Sequence, residues 1–389
     1  MAQIKKIVLN GITWGHSRGI TPLLATSQRY NELFHDIEIN WQKRTLQEFA
    51  DFPIEKLTEK YDLLIIDHPW CGTAAALKCV LPLNQYLSED YLFNQLNHSV
   101  GYSHLSYYFK NEQWALAIDA ATPVASYRKD LFEKENRTIP DTWEELIELA
   151  KEGRVIVPGI PVDLLMNFYS FCIAVGEEPF KDDKQVVSQE KGGEALWYMK
   201  QLWSLCSTNV FQLNPIETAE LMTKTDTYWY CPFAYGYSNY SRKGYAASVL
   251  TYTDVISFKQ YGRLKTTLGG TGLAISAGTK YKDECVAFAQ WVNSELIQQT
   301  LYAEHSGQPG HRSAWQNKYL NQLTNNFFIE TLPALDRAYV RPRYHGDLHF
   351  QDKAGEPLRE YLINGGNEYE VIDSINNMYY QSLKIRDLK

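Results

Sequence analysis

WALAIDAATPVASYRKDLFEKENRTIPDTWEELIELAKEG, residues 114–153, changes periodicity twice within one stretch. Residues 113–119, QWALAID, are an apolar run too short for a helix and read as a buried strand. PVASYRKDLF, at 123–132, reads as a second strand leading into a helix. DTWEELIELAKEG, at 141–153, carries helical spacing. Asp141 reads as its cap with Glu144 three residues on, and Gly153 as its end.

The pattern continues outward on both sides. Upstream, a strand at 5–13 precedes a helix at 21–34, a strand at 37–41 precedes a helix at 53–60, and a strand at 62–66 precedes a helix at 72–79. Strands separated by helical stretches predict a parallel sheet with crossovers. Downstream come a short strand VIVPG at 155–159 and helices at 162–175 and 190–206. DTYWYCPFAYGYSNYS, at 226–241, reads as a strand entering an aromatic loop. LKTTLGGTGLAISAGTK, at 264–280, places a glycine-rich turn before an apolar strand, with a helix at 281–294 after it. The chain is helical from about 312, apart from RPRYHGDLHFQD at 341–352.

Bulk composition limits the function classes. The 389 residues are 44% hydrophobic and 22% charged, which suits a soluble chain of two or three domains. A formal net charge of −8, without basic runs, argues against nucleic acid or an anionic membrane as partner. No apolar run reaches the roughly 18 residues of a membrane span. MAQIKKIVLNGITW passes almost directly into a strand, with no apolar leader. The six cysteines form no CxxC pair and no zinc spacing. They read as free buried thiols, which suits a reducing compartment. No cofactor is expected. GGTGLA, at 269–274, lacks the Lys-Ser/Thr ending of a phosphate loop and precedes a strand instead of a helix.

Several phrases in this order resemble the extracellular solute-binding proteins of family 1, the substrate-binding proteins of carbohydrate importers. They are YDLLIIDHP (61–69), LPLNQYL (81–87), the stretch 114–153, GGTGLAISAGTKYKDECVAFAQWV (269–292) and GQPGHRSAW (307–315). The resemblance covers most of the chain. It implies an α/β, two-lobed fold of the periplasmic-binding-protein type 2: each lobe a mostly parallel sheet flanked by helices, with a ligand cleft between the lobes. Lobe 1 would hold residues 1–119 and 266–308, and lobe 2 residues 120–265 and 309–389. It further implies hinge closure, a membrane permease of the ABC type as partner, a saccharide-like ligand and a monomer. Location would be periplasmic or extracellular, or cytoplasmic if the visible N-terminus is native.

Saccharide recognition needs aromatic faces for C–H surfaces and charged or amide groups for hydroxyls. Trp14, His16 and Arg18 follow the first strand. Asp67 and His68 end the strand at 62–66, where Pro69 stops pairing. Asp119 precedes the first crossing, and Gly269 and Gly270 permit close backbone approach. Tyr235, Tyr237, Asn239 and Tyr240 form the richest aromatic loop, with Tyr235 and Tyr237 on one side of an extended chain. His311 and Arg312 sit at the third crossing. Arg343 and His345 belong to a stretch in which Arg341, Asp347 and His349 also alternate without a helix. Each group has a structural counterpart reading: helix cap, aromatic core stripe, strand-entry turn or ion-paired loop. The competing functional reading is an enzyme on the same scaffold, with Asp67 and His68 as acid and base or Cys71 or Cys231 as nucleophile.

Overall fold

The computed structural model describes residues 6–258 and 262–386. The leader reading and the first position of the expected strand at 5–13 fall on residues 1–5, which lie outside the described residues, and residue 6 precedes the strand observed. Among the described residues ten strands follow in chain order: β1 (Ile7–Trp14), β2 (Ile37–Arg44), β3 (Leu63–Ile66), β4 (Tyr108–Phe109), β5 (Glu112–Gln113), β6 (Leu116–Ala121), β7 (Pro123–Tyr127), β8 (Tyr230–Tyr235), β9 (Thr251–Thr253) and β10 (Gly269–Ile275).

The chain divides into two compact units. Unit 1 comprises Met1–Ala121, Gly269–Asn321 and Arg343–His345, and unit 2 comprises Thr122–Leu268, Gln322–Pro342 and Gly346–Lys389. The expected divisions at 119/120 and 265/266 move by a few residues. The one at 308/309 moves further, to Asn321, for a hydrogen-bonding reason. Gly310 N–H donates to the Ile118 carbonyl, and its own carbonyl accepts from Val100. The segment after 308 is thus paired into unit 1, and 343–345 returns to it as well.

In unit 1 the sheet order is β2-β1-β3-β10-β6. β1 is parallel to β2 and β3, while β10 is antiparallel to β3 and β6. All four residues of β3 are buried, as expected of a central strand with both faces covered. Each such side chain contributes about 1.5–3 kcal/mol by leaving water. The first helix spans Ser17–Leu33, starting earlier than its apolar pattern because His16 caps it: the ring Nδ1 accepts from the Arg18 N–H at 3.1 Å.

Unit 2 corrects the expectation of a mostly parallel sheet. Its sheet, β8-β7-β9, is antiparallel throughout. VIVPG contributes one parallel bridge, Val155 to Tyr230, before Pro158 and Gly159 end the pairing. A parallel neighbour therefore never extends into a ladder. The core of this unit is helical and aromatic. The helix Pro161–Ala174 is buried along nearly its whole length. Trp143 packs edge-on against Phe171, Tyr198 and Phe258, with centroids 5.4–5.7 Å apart. Trp143 opens the helix Trp143–Lys151, and its cap is Thr142, with Glu145 completing the reciprocal box. The sequence reading of Asp141 and Glu144 was one residue early. RPRYHGDLHFQD is also only half irregular, because a helix starts at Asp347 and runs to Asn364. Asp347 and His349 are therefore helical.

Candidate functional site

Strand register gathers one edge of the unit 1 sheet. β1 and β2 end level with each other, Trp14 opposite Arg44. β3 runs the same way and reaches Ile66 opposite Gly272. β10 enters from this side at Gly269, opposite Ala121, the last residue of β6. The carboxyl ends of β1, β2, β3 and β6 thus share an edge with the start of β10. Open α/β sheets bind ligands outside such strand ends.

Trp14, His16, Arg18 and Asp119 are joined there. Trp14 is buried and stacks on the His16 ring at 5.6 Å, with 12° between planes. The Arg18 guanidinium lies 5.7 Å from the Trp14 ring centroid. Arg18 and Asp119 are 3% and 2% exposed, and Arg18 Nε donates to Asp119 Oδ2 at 2.9 Å. A second bond joins Arg18 Nη2 to Asp119 Oδ1. Burial pushes the Asp119 carboxyl up, and the facing guanidinium opposes that shift. Gly270 closes the corner with φ +96°, where a β-carbon would lie 2.4 Å from the Asp119 carbonyl oxygen. Only glycine serves there.

Asp67 caps the short 3-10 turn His68–Trp70 by accepting from the His68 N–H at 2.8 Å. The same carboxylate oxygen is 3.2 Å from His68 Nδ1. Asp67 keeps a 20% exposed side chain, whereas the His68 side chain is fully buried, edge-on to Tyr107. Arg343 and His345 pack beside this turn. The Arg343 Nη1 donates to the carbonyls of Leu105, Ser106 and Tyr108 at 2.9–3.1 Å. His345 Nδ1 lies 3.3 Å from Thr73 Oγ1.

His311 and Arg312 are not brought to this edge. The Asp119–Pro309 bridge is antiparallel, which puts His311 level with Ala117, back along β6. His311 is buried, stacked on His98 at 5.3 Å and bonded through Nδ1 to Ser313 Oγ at 2.6 Å. Arg312 donates to the Ser99 carbonyl.

The aromatic loop belongs to unit 2. Tyr235 ends β8 half-buried, its hydroxyl 3.0 Å from Thr267 Oγ1. Tyr237, Asn239 and Tyr240 are buried, and Tyr240 donates to Glu220 Oε1 at 2.9 Å. Of the four, Tyr235 alone presents appreciable surface. Sequence reading passed over Arg44, because the strand was ended at 41. The alternation in IEINWQKR stops after Trp41, and the buried Arg44 is out of phase with it, so no local pattern marked this residue.

Burial raises the Cys71 and Cys231 thiols far above the ordinary range, which removes the thiolate a nucleophile needs. Among the described residues no three His, Cys, Asp or Glu side chains cluster to hold a metal. No helix among them is long and apolar enough to cross a membrane.

The family model described as bacterial extracellular solute-binding protein matches residues 25–314. Solved structures match along nearly the whole chain. The maltose-bound MalE3 of T. maritima is 19% identical, covering 96% of this chain and 99% of its own, with a TM-score of 0.80. An ABC transporter solute-binding protein from Agrobacterium radiobacter K84, in complex with ribitol, is 18% identical over 97% and 99%, with a TM-score of 0.82. An ABC substrate-binding protein from Listeria monocytogenes, in complex with cycloalternan, is 14% identical over 98% and 100%, with a TM-score of 0.80. No curated protein sequence matches the chain. The fold is thus the two-lobed α/β fold of periplasmic binding proteins, and the chain belongs to the bacterial extracellular solute-binding proteins.

Proposed function

We propose that this solute-binding protein captures a carbohydrate or a similar polar small molecule and delivers it to an ABC-type permease, acting as a monomer outside the cytoplasm. The observation that carries the reading is the strand-end edge of unit 1, where the Arg18–Asp119 pair fixes the backbone beside His16 and Gly270. Such an edge offers polar groups already held in place, which lowers the ordering cost of binding. His16, Asp67, Gly270, Arg343 and His345 of unit 1 are the proposed contacts. The ligands in the solved relatives, maltose, ribitol and cycloalternan, fit the same class.

The test is thermal unfolding against neutral sugars, polyols and acidic sugars, followed by recovery of each compound. A ligand at a thousandfold excess over its Kd stabilises by roughly 4 kcal/mol. A strong shift with the compound recovered intact supports capture. Conversion of the compound would instead favour an enzyme using the Asp67–His68 pair, whose carboxylate and ring nitrogen lie 3.2 Å apart. No shift with any compound would remove the carbohydrate reading.

A further inference from the structure

Arg44 is 8% exposed, yet among the described residues no carboxylate pairs with it. Its Nη1 donates to the Glu48 carbonyl at 3.0 Å and its Nη2 to the Ile65 carbonyl at 3.3 Å. The buried Nε has no acceptor. Buried charges are ordinarily paired, because desolvation without compensation is costly. Burial lowers this guanidinium to about 10, although the Glu48 carboxylate, at longer range than an ion pair, and Tyr61 oppose the shift.

A cavity of about 440 Å³ opens beside it in unit 1. Its charged lining is Lys43, Arg44, Lys56 and Lys60 against Glu48 and Glu59. Lys43, Lys56 and Lys60 are exposed and have no carboxylate partner among the described residues. Glu48 is already engaged: its Oε2 accepts from Thr45 N–H at 2.8 Å and from the Thr45 hydroxyl at 3.1 Å. The excess of cations stands out in a chain whose net charge is −8. None of Trp14, His16, Asp67 or Gly270 lines this cavity.

We infer that this cavity is a second binding site, for a phosphate group, held by the buried Arg44 guanidinium and by Lys56 and Lys60. Beyond its carbonyl bond each Nη of Arg44 keeps one further N–H, a donor pair that matches phosphate oxygens, and the lysines add point charges. The group is either free phosphate or the phosphate of a phosphomonoester. This site is independent of the carbohydrate reading and stands or falls without it.

Isothermal titration tests it, with inorganic phosphate and with glucose 6-phosphate in separate arms, at ionic strength held constant with chloride. Saturable one-to-one binding is expected in at least one arm. A stronger phosphate arm identifies the free ion, and a stronger glucose 6-phosphate arm identifies the ester. The Lys56→Gln/Lys60→Gln variant, altered only at exposed side chains, should bind at least tenfold more weakly, since two of the three cationic groups that hold the phosphate are removed. Arg44→Gln should abolish binding; circular dichroism establishes whether that variant folds. No saturable binding to the wild-type chain in either arm would overturn the inference. Unchanged affinity in the lysine variant would do the same.

Discussion

Arg18 and Asp119, 101 residues apart in sequence, meet as a doubly hydrogen-bonded ion pair with almost no exposure to water. The pair ties the start of the first helix to β6. Removing one partner leaves the other charged and buried, which costs about 3–5 kcal/mol. Asp119→Ala and Arg18→Ala are each expected to lose that much in urea unfolding. The double variant Arg18→Met/Asp119→Leu should recover most of the loss, because no charge is left stranded. Single variants within 1 kcal/mol of the wild-type chain would show that water reaches the pair.

Gly72 carries a different kind of constraint. A β-carbon there would lie 2.0 Å from the Arg343 carbonyl oxygen, a backbone atom with little room to retreat. Gly72→Ala should therefore destabilise unit 1 by about 1–3 kcal/mol through overpacking. Gly193, inside the helix Gln189–Trp203, makes the opposite case: the nearest atom to its β-carbon position is 3.5 Å away. Gly193→Ala should stabilise by roughly 0.5–1 kcal/mol through helix propensity. Calorimetry on the two variants should show melting temperatures moving in opposite directions. A shared direction would count against this packing account.

The sequence revealed the alternation of strands and helices because periodicity is local. β3 was legible as four apolar residues stopped by Asp67-His68-Pro69, and the helix Trp143–Lys151 by its spacing. Strand direction was less legible. The antiparallel β8-β7-β9 sheet depends on which ends meet after a long helical excursion, and no local pattern encodes that. The site shows the same division. Asp67 was found at its strand end, and Arg18 and Asp119 were named, but their pairing was not foreseen. His311 looked suited to the same edge until the Asp119–Pro309 register drew it back along β6. Tyr240 looked like a binding aromatic, and its bond to Glu220 inside unit 2 is what its flanking glycine and serines concealed.

Asp163 gives unit 2 a pH dependence. It lies in the first turn of the helix Pro161–Ala174, 6% exposed, with no partner for Oδ2. Burial, with Glu217 adding repulsion, raises its carboxyl from 3.8 to about 8. The folded state therefore keeps a proton that the unfolded chain releases. Its contribution is fully present below the unfolded value near 3.8 and is lost as pH rises toward about 8. Across that window stability should fall by up to about 1.4 kcal/mol per pH unit. Asp163→Asn, which cannot ionise, should flatten this slope. Urea unfolding between pH 5 and about 8 measures both chains; equal slopes would mean that Asp163 ionises freely in the folded state.

Asp67 separates ligand binding from folding, and His16 tests the same strand-end edge. Each caps a turn: Asp67 accepts from the His68 N–H, and His16 accepts from the Arg18 N–H. Asparagine preserves such a cap, since it ranks with aspartate at that position. Asp67→Asn should therefore keep its melting temperature within a degree or so of the wild-type chain, whereas His16→Asn keeps the cap but loses the Trp14 stack and should melt a few degrees lower. Binding is another matter. A carboxylate accepting from a sugar hydroxyl makes a charge-assisted bond worth about 1.5–3 kcal/mol, and the amide replaces it with a neutral one. The Kd for the best sugar from the panel should rise about tenfold in Asp67→Asn. His16→Asn should lose a comparable amount, because the imidazole face stacked on Trp14 disappears with it. If both variants hold the sugar as tightly as the wild-type chain, the strand-end edge of unit 1 is structural and the ligand is bound elsewhere.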